Sequence, residues 1–146
     1  MKRENSHDSS KKKYVLDSFA LIALAKHETD FAKVEYLLAQ AKQGNIRLYI
    51  NIINLGEVFY TLIQDKKEAA PKLISATEHL PMRIIGIDIF LLKEAAKIKA
   101  KGGISYADAF VIATALKHDA IIVTGDKEFK KFEKLVKIEW LLTNSK

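Results

Sequence analysis

Short apolar runs of strand length alternate along this chain with longer helical stretches, and no tight hairpin signal joins one run to the next. Strands that cannot be joined by hairpins must be joined by crossovers, so the pattern predicts a parallel sheet covered by helices on both faces, an α/β architecture. The strands are expected at Tyr14 to Leu16, Ile46 to Ile50, Arg83 to Ile87, Ala120 to Thr124 and Lys137 to Leu142. Helices are expected from Ser18 to Lys26, Phe31 to Lys42, Ile52 to Asp65, Ala69 to His79, from Asp88 to Lys101, and around Asp108. Gly44 and the pair Gly102-Gly103 supply stop signals, and Pro81 introduces the third strand. Residues 1–13 are polar and lysine-rich without hydrophobic period, so they read as a disordered basic tail before a single domain over 14–146.

The 146 residues, 49% of them apolar, are enough for one compact domain with its own core. A formal charge of +6 favours polyanionic partners, although lysines scattered over solvated faces give the same total. The absence of cysteine excludes disulfides and zinc held on sulfur. No uncharged apolar run approaches the roughly 18 residues of a membrane span, so a soluble, cytoplasmic protein is expected, with no membrane partner.

Asp108 stands out within Ile104 to Leu116, a stretch otherwise almost wholly apolar. At about 100° per residue, Ile104, Val111, Ile112 and Ala115 project to its side of the helix, so the carboxylate lies on an apolar face. An unpaired buried carboxylate costs several kcal/mol or takes up a proton, and the charged neighbour Lys117 points to the opposite side. A metal ion is the sharper explanation. Three other acids fall where an α/β sheet opens its ligand crevice: Asp17 and Asp126 at the carboxyl ends of strands, and Glu57 in the helix after the second strand. Each has an ordinary reading of its own. Asp17 and Asp126 are placed to cap the helices after them, and Glu57 lies on a polar stripe with Thr61 and Gln64. Taken together the four acids point to one site. Two carboxylates at 4 Å oppose each other by about 4 kcal/mol at an effective dielectric near 20, so such a cluster calls for cations. All-oxygen ligation suits Mg²⁺ or Mn²⁺, which bind through a few carboxylates and substrate phosphate oxygens, and that is the chemistry of phosphodiester hydrolysis.

Other chemistries have little support. His7 falls in the tail, and His27, His79 and His118 lack the spacing of a metal or triad cluster. Neither a G-x-x-x-x-G-K-[ST] loop nor a G-x-G-x-x-G turn follows the first strand. Lysines 93, 97, 99 and 101 lead into the Asp108 helix, and lysines 127, 130, 131 and 134 follow Asp126; they read either as contacts to an RNA backbone or as solvated helix faces.

In their order and setting, YVLDSFALIAL, INIINLGEVFY and ISYADAFVIATALKHDAIIVTGDKEF resemble PIN-domain ribonucleases, and most of all the VapC-type toxins of toxin–antitoxin pairs. The resemblance implies a three-layer α/β/α sandwich with a central parallel sheet and an endoribonuclease dependent on Mg²⁺ or Mn²⁺. It places the catalytic, metal-holding acids on Asp17, Glu57, Asp108 and Asp126, with Ser18 and Thr124 as accessory residues. It also implies an RNA substrate, a homodimer and a small antitoxin that blocks the acidic cleft. Asn51 and Asn54 stand where such toxins more often carry Ser or Thr, a departure on the substrate side. The alternatives are a module of this fold that binds RNA or protein without turnover, a PIN nuclease of RNA maturation or decay, and a phosphoryl-aspartate protein; the last lacks the expected D-x-D, since Phe19 follows Ser18.

Overall fold

The computed structural model describes residues 10–143. Five strands form one parallel sheet: β1 (Lys12–Leu16), β2 (Ile46–Asn51), β3 (Arg83–Ile85), β4 (Ile121–Thr124) and β5 (Ile138–Trp140), in the order β3-β2-β1-β4-β5. The helices are α1 (Ser18–Ala25), α2 (Phe31–Lys42), α3 (Ile52–Asp65), α4 (Ala70–Glu78), α5 (Ile89–Ala100) and α6 (Tyr106–His118), and a 3-10 helix covers Lys127–Phe132.

Both faces of the sheet are covered, as an all-parallel sheet requires. Alternate residues of the strands pack to opposite sides. Val15, Tyr49, Ile85 and Ile122 meet Leu91, Ala95, Phe110 and Ile112 of α5 and α6. Leu16, Leu48, Ile50 and Val123 meet Leu21, Val34, Leu37, Val58 and Leu62 of α1, α2 and α3. The parallel, doubly covered sandwich expected from the sequence is therefore the fold observed.

The differences in strand length arise from pairing. Strand β3 ends at Ile85 rather than Ile87, because its last partner is Asn51, after which β2 turns into α3. Strand β5 ends at Trp140 rather than Leu142, because Trp140 pairs with Thr124, the last residue of β4. At the other end, β1 begins two residues before the expected boundary: Lys12 and Lys13 pair with Ile46 and Arg47 and so belong to the sheet rather than to a tail. Residues 1–9 of the expected tail lie outside the described residues. Among the described residues no helix is long and apolar enough to cross a membrane.

The chain runs from β1 outward to β2 and β3, then returns to the other side of β1 for β4 and β5. The order reverses between β1 and β4, and the crevice of an open parallel sheet forms at the carboxyl ends of strands at such a point. Asp17 follows β1 and Asp126 lies just beyond β4, one on each side of that reversal.

Candidate metal centre

Asp17 is 1% exposed. It is the N-cap of α1, and its Oδ1 accepts the Ala20 N–H at 3.0 Å. Its other oxygen accepts a short hydrogen bond from the Thr124 hydroxyl. Thr124, fully buried at the end of β4, also accepts the Asp126 N–H at 2.9 Å, so one hydroxyl fixes Asp17 and Asp126 relative to each other. Asp126 in turn caps the 3-10 helix, its Oδ1 accepting the Glu128 N–H at 2.9 Å. Both acids cap the helices after them as expected, and each carboxylate has an oxygen that the cap does not use.

Gly125, between Thr124 and Asp126, is required by space. A Cβ there would run into Phe19 Cε1 and stand 2.7 Å from Phe19 Cζ and 2.9 Å from Thr143 Cγ2, so any side chain would have to displace the Phe19 ring of α1 and Thr143.

Asp108 enters from α6, which Ser105 caps by accepting the Asp108 N–H at 3.1 Å. It is 8% exposed, in the first turn, where the helix dipole favours negative charge. The apolar surroundings expected for it are present: Ile104, Val111, Ile112 and Ala115 are all buried. Lys117 is taken up elsewhere, 3.7 Å from Asp88, and none of the salt bridges among the described residues involves Asp17, Glu57, Asp108 or Asp126.

Glu57 projects half-buried from α3. The fully buried Asn54 holds it, donating through Nδ2 to Glu57 Oε1 at 3.4 Å and to the Ala107 carbonyl at 3.1 Å, one residue before Asp108. Asn51 accepts the Ile53 N–H at 2.9 Å as N-cap of α3 and donates to Thr114 of α6 at 3.1 Å. The two asparagines that depart from the usual Ser or Thr therefore tie α3 to α6. Ser18 opens α1 beside Asp17, half-buried.

These acids act on one another. Burial pushes the Asp17 pKa up to about 8, with Asp108 and Asp126 adding to the rise and the bonds from Thr124 and Ala20 opposing it. Burial raises Asp108 to about 6, with Asp126 and Glu57 raising it further and Ser105 opposing. Glu128 contributes to the same effect and completes a group that sequence reasoning missed: one carboxylate oxygen each from Asp108, Asp126 and Glu128 lies within 4.8 Å of the others. The only signal for Glu128 was its position two residues past Asp126, where the 3-10 turn brings it back beside its neighbour.

The donor set fits a divalent cation. It is all oxygen and negatively charged, and among the described residues it has no basic partner; Asn54 Oδ1, buried and without a hydrogen-bond partner among those residues, is an acceptor suited to an ion that keeps waters. Beside it, a cleft of about 440 Å³ is lined by Gly125, Lys127, Lys130, Glu133 and Trp140. The lysines divide by role: Lys127 and Lys130 face this cleft, whereas Lys99 and Lys131 bind the carbonyls of Ile104 and Gly103 at 2.9 and 2.6 Å and pin the loop that enters α6.

The sequence profile of the PIN domain matches residues 14–135. A search of curated protein sequences finds no significant match. Among solved structures the chain is similar to VapBC2 from Rickettsia felis bound to a DNA fragment from its promoter, at 23% identity and TM-score 0.67, covering 89% of this chain and 99% of that one. It is also similar to Mycobacterium tuberculosis VapC20, a sarcin-ricin loop cleaving toxin, at 16% identity and TM-score 0.66, covering 81% and 93%. DNA-bound VapBC from Salmonella typhimurium matches at 17% identity and TM-score 0.66, covering 88% and 97%.

Proposed function

The chain belongs to the PIN-domain family, and on that premise we propose that it is an endoribonuclease dependent on Mg²⁺ or Mn²⁺, the toxin of a toxin–antitoxin pair. The observation that carries this reading is the group of carboxylates, two of them buried, that converge at the strand-order reversal with no cation among the described side chains to balance them.

Asp108, Asp126 and Glu128 would hold the ion, with Asp17 and Glu57 completing the acidic wall. When bound, a divalent cation supplies the positive charge that lets a water ionise near neutral pH and offsets charge on the leaving oxygen. The chain's own residues set the geometry. Thr124 keeps Asp17 and Asp126 at a fixed separation, Asn54 keeps Glu57 turned toward α6, and Ser105 fixes the first turn that presents Asp108. Ser18 lies next to Asp17, placed to orient a ligand of the same site. Lys127 and Lys130 draw RNA phosphates into the adjoining cleft.

An antitoxin partner is supported by the structural neighbours, several of which are VapBC toxin–antitoxin complexes. A homodimer acting in the cytoplasm completes the proposal.

The test is cleavage of an end-labelled structured RNA by wild type and Asp108→Asn protein, each in Mn²⁺ and in EDTA. Fragments from wild type in Mn²⁺ alone are expected. Equal cleavage by the Asn variant, or by wild type in EDTA, overturns the site assignment. Binding of RNA without cleavage by metal-supplied wild type overturns the enzyme in favour of a binding module.

A further inference from the structure

At the opposite end of the sheet from the carboxylates, we propose a second RNA contact: a row of cations across the amino ends of the strands that binds successive backbone phosphates. The identity of the polymer rests on the ribonuclease reading, and the existence of the row does not.

Register places the row. Lys13 pairs with Arg47, and Tyr49 pairs with Arg83. Side chains two residues apart share a face, so Lys13, Arg47 and Arg83 lie on one face of three adjacent strands, within two rungs of each other. His118, the last residue of α6, stacks on Tyr49 with ring centroids 4.7 Å apart, and its Nε2 is buried without a hydrogen-bond partner. Burial and then Lys117, Arg83 and Lys13 hold its pKa below the ordinary value, so the same cations converge on it. A cleft of about 350 Å³ opens here, walled by Arg83, Gly86, Lys117 and His118, with Asp88, 3.7 Å from Lys117, as the acid in its wall. On the far side of β1 the row continues into a cleft of about 420 Å³ beneath β4, which begins further along the sheet than β1. Lys12, Lys13 and Lys137 line this second cleft, with Asp119 as the one acid in its wall.

Lys12, Lys13, Arg83 and Lys137 take part in none of the salt bridges among the described residues, which suits them to an anion. The extent of the row selects that anion. From β3 to β5 it crosses four strand spacings, about 19 Å at about 4.8 Å each, longer than a free phosphate or mononucleotide and matched to several phosphates of one strand. Asp108 and His118 lie on one helix about 15 Å apart along its axis, so an RNA held at the foot of the sheet reaches the acidic end within a few nucleotides.

The experiment is fluorescence anisotropy of a labelled oligouridylate of about 20 nucleotides, titrated with full-length protein in EDTA over a series of salt concentrations. The variants are Lys13→Gln/Arg83→Gln and Lys12→Gln/Lys137→Gln, with thermal melting as the check on folding and the single substitutions in reserve if a double variant fails it. Each pair should weaken binding by about 5- to 20-fold and lower the salt slope by about 0.7 for every phosphate no longer neutralised. In Mn²⁺ the same variants should raise KM on a long RNA and leave kcat unchanged. Unchanged affinity and slope in folded variants overturn the proposal. Equal affinity for polyglutamate overturns the RNA assignment, and saturation of the His118 ring signal by inorganic phosphate without displacement of RNA overturns the polymer. Failure of the ribonuclease reading is distinguishable, since it would leave binding sensitive to these cations and cleavage absent.

Discussion

Asp108 and Asp17 dominate at the scale of single residues. Asp108 was legible in the sequence because a charge in a run of small apolar residues has no cheap explanation, and its burial is as expected. Glu128 was not legible: an exposed acid in Lys-Glu-Phe-Lys-Lys has the composition of any solvated turn, and only the fold of that turn brings it to Asp108. Thr124 came to notice through family resemblance, and its physical role, one hydroxyl serving two acids, became visible only with the strand ends in place. Thr124→Val should lower activity or metal affinity by about 10- to 100-fold with a raised Mn²⁺ requirement, while Thr124→Ser restores most of it; activity measured against Mn²⁺ concentration checks this. Asp108→Asn should abolish cleavage and leave the metal-free Tm equal or higher, because one like charge leaves the cluster. A lowered Tm by calorimetry would mean that Asp108 holds the fold rather than the ion.

Among the elements, the helix positions and the central strands were largely readable from periodicity and from the caps at Asp17, Asp88 and Asp126, while the caps at Asn51 and Ser105 came to light only in the fold. The strand ends were not, because a strand's length is set by its partner: β3 and β5 stop where β2 and β4 stop, and β1 starts where β2 can still pair with it. Helix α3 is held at its start by Asn51, buried completely and bonded both to the first turn of α3 and to Thr114 of α6. Asn51→Ala removes both bonds. It should cost about 1–2 kcal/mol and lower Tm by several degrees, read by thermal melting, with cleavage retained at low temperature.

For the molecule as a whole, the metal-free protein is built against its own charge. Asp17 and Asp108 titrate near 8 and 6 when folded, above the 3.8 of a free carboxyl, so between these values the folded state holds more protons than the unfolded one. Their contribution to stability is therefore greatest below about pH 4 and is lost as pH rises toward about 8. In EDTA the Tm advantage of Asp17→Asn over wild type should grow across that range, and Mn²⁺ should reduce it by stabilising the ionised wild-type cluster. The central claim, that these carboxylates await a cation, is met most directly by calorimetric titration of Mn²⁺ into wild type and Asp108→Asn near pH 7, in two buffers of different ionisation enthalpy. The expected result is binding by wild type with release of protons to the buffer, and binding at least about tenfold weaker in the variant. Binding without proton release and unchanged by the substitution would contradict it.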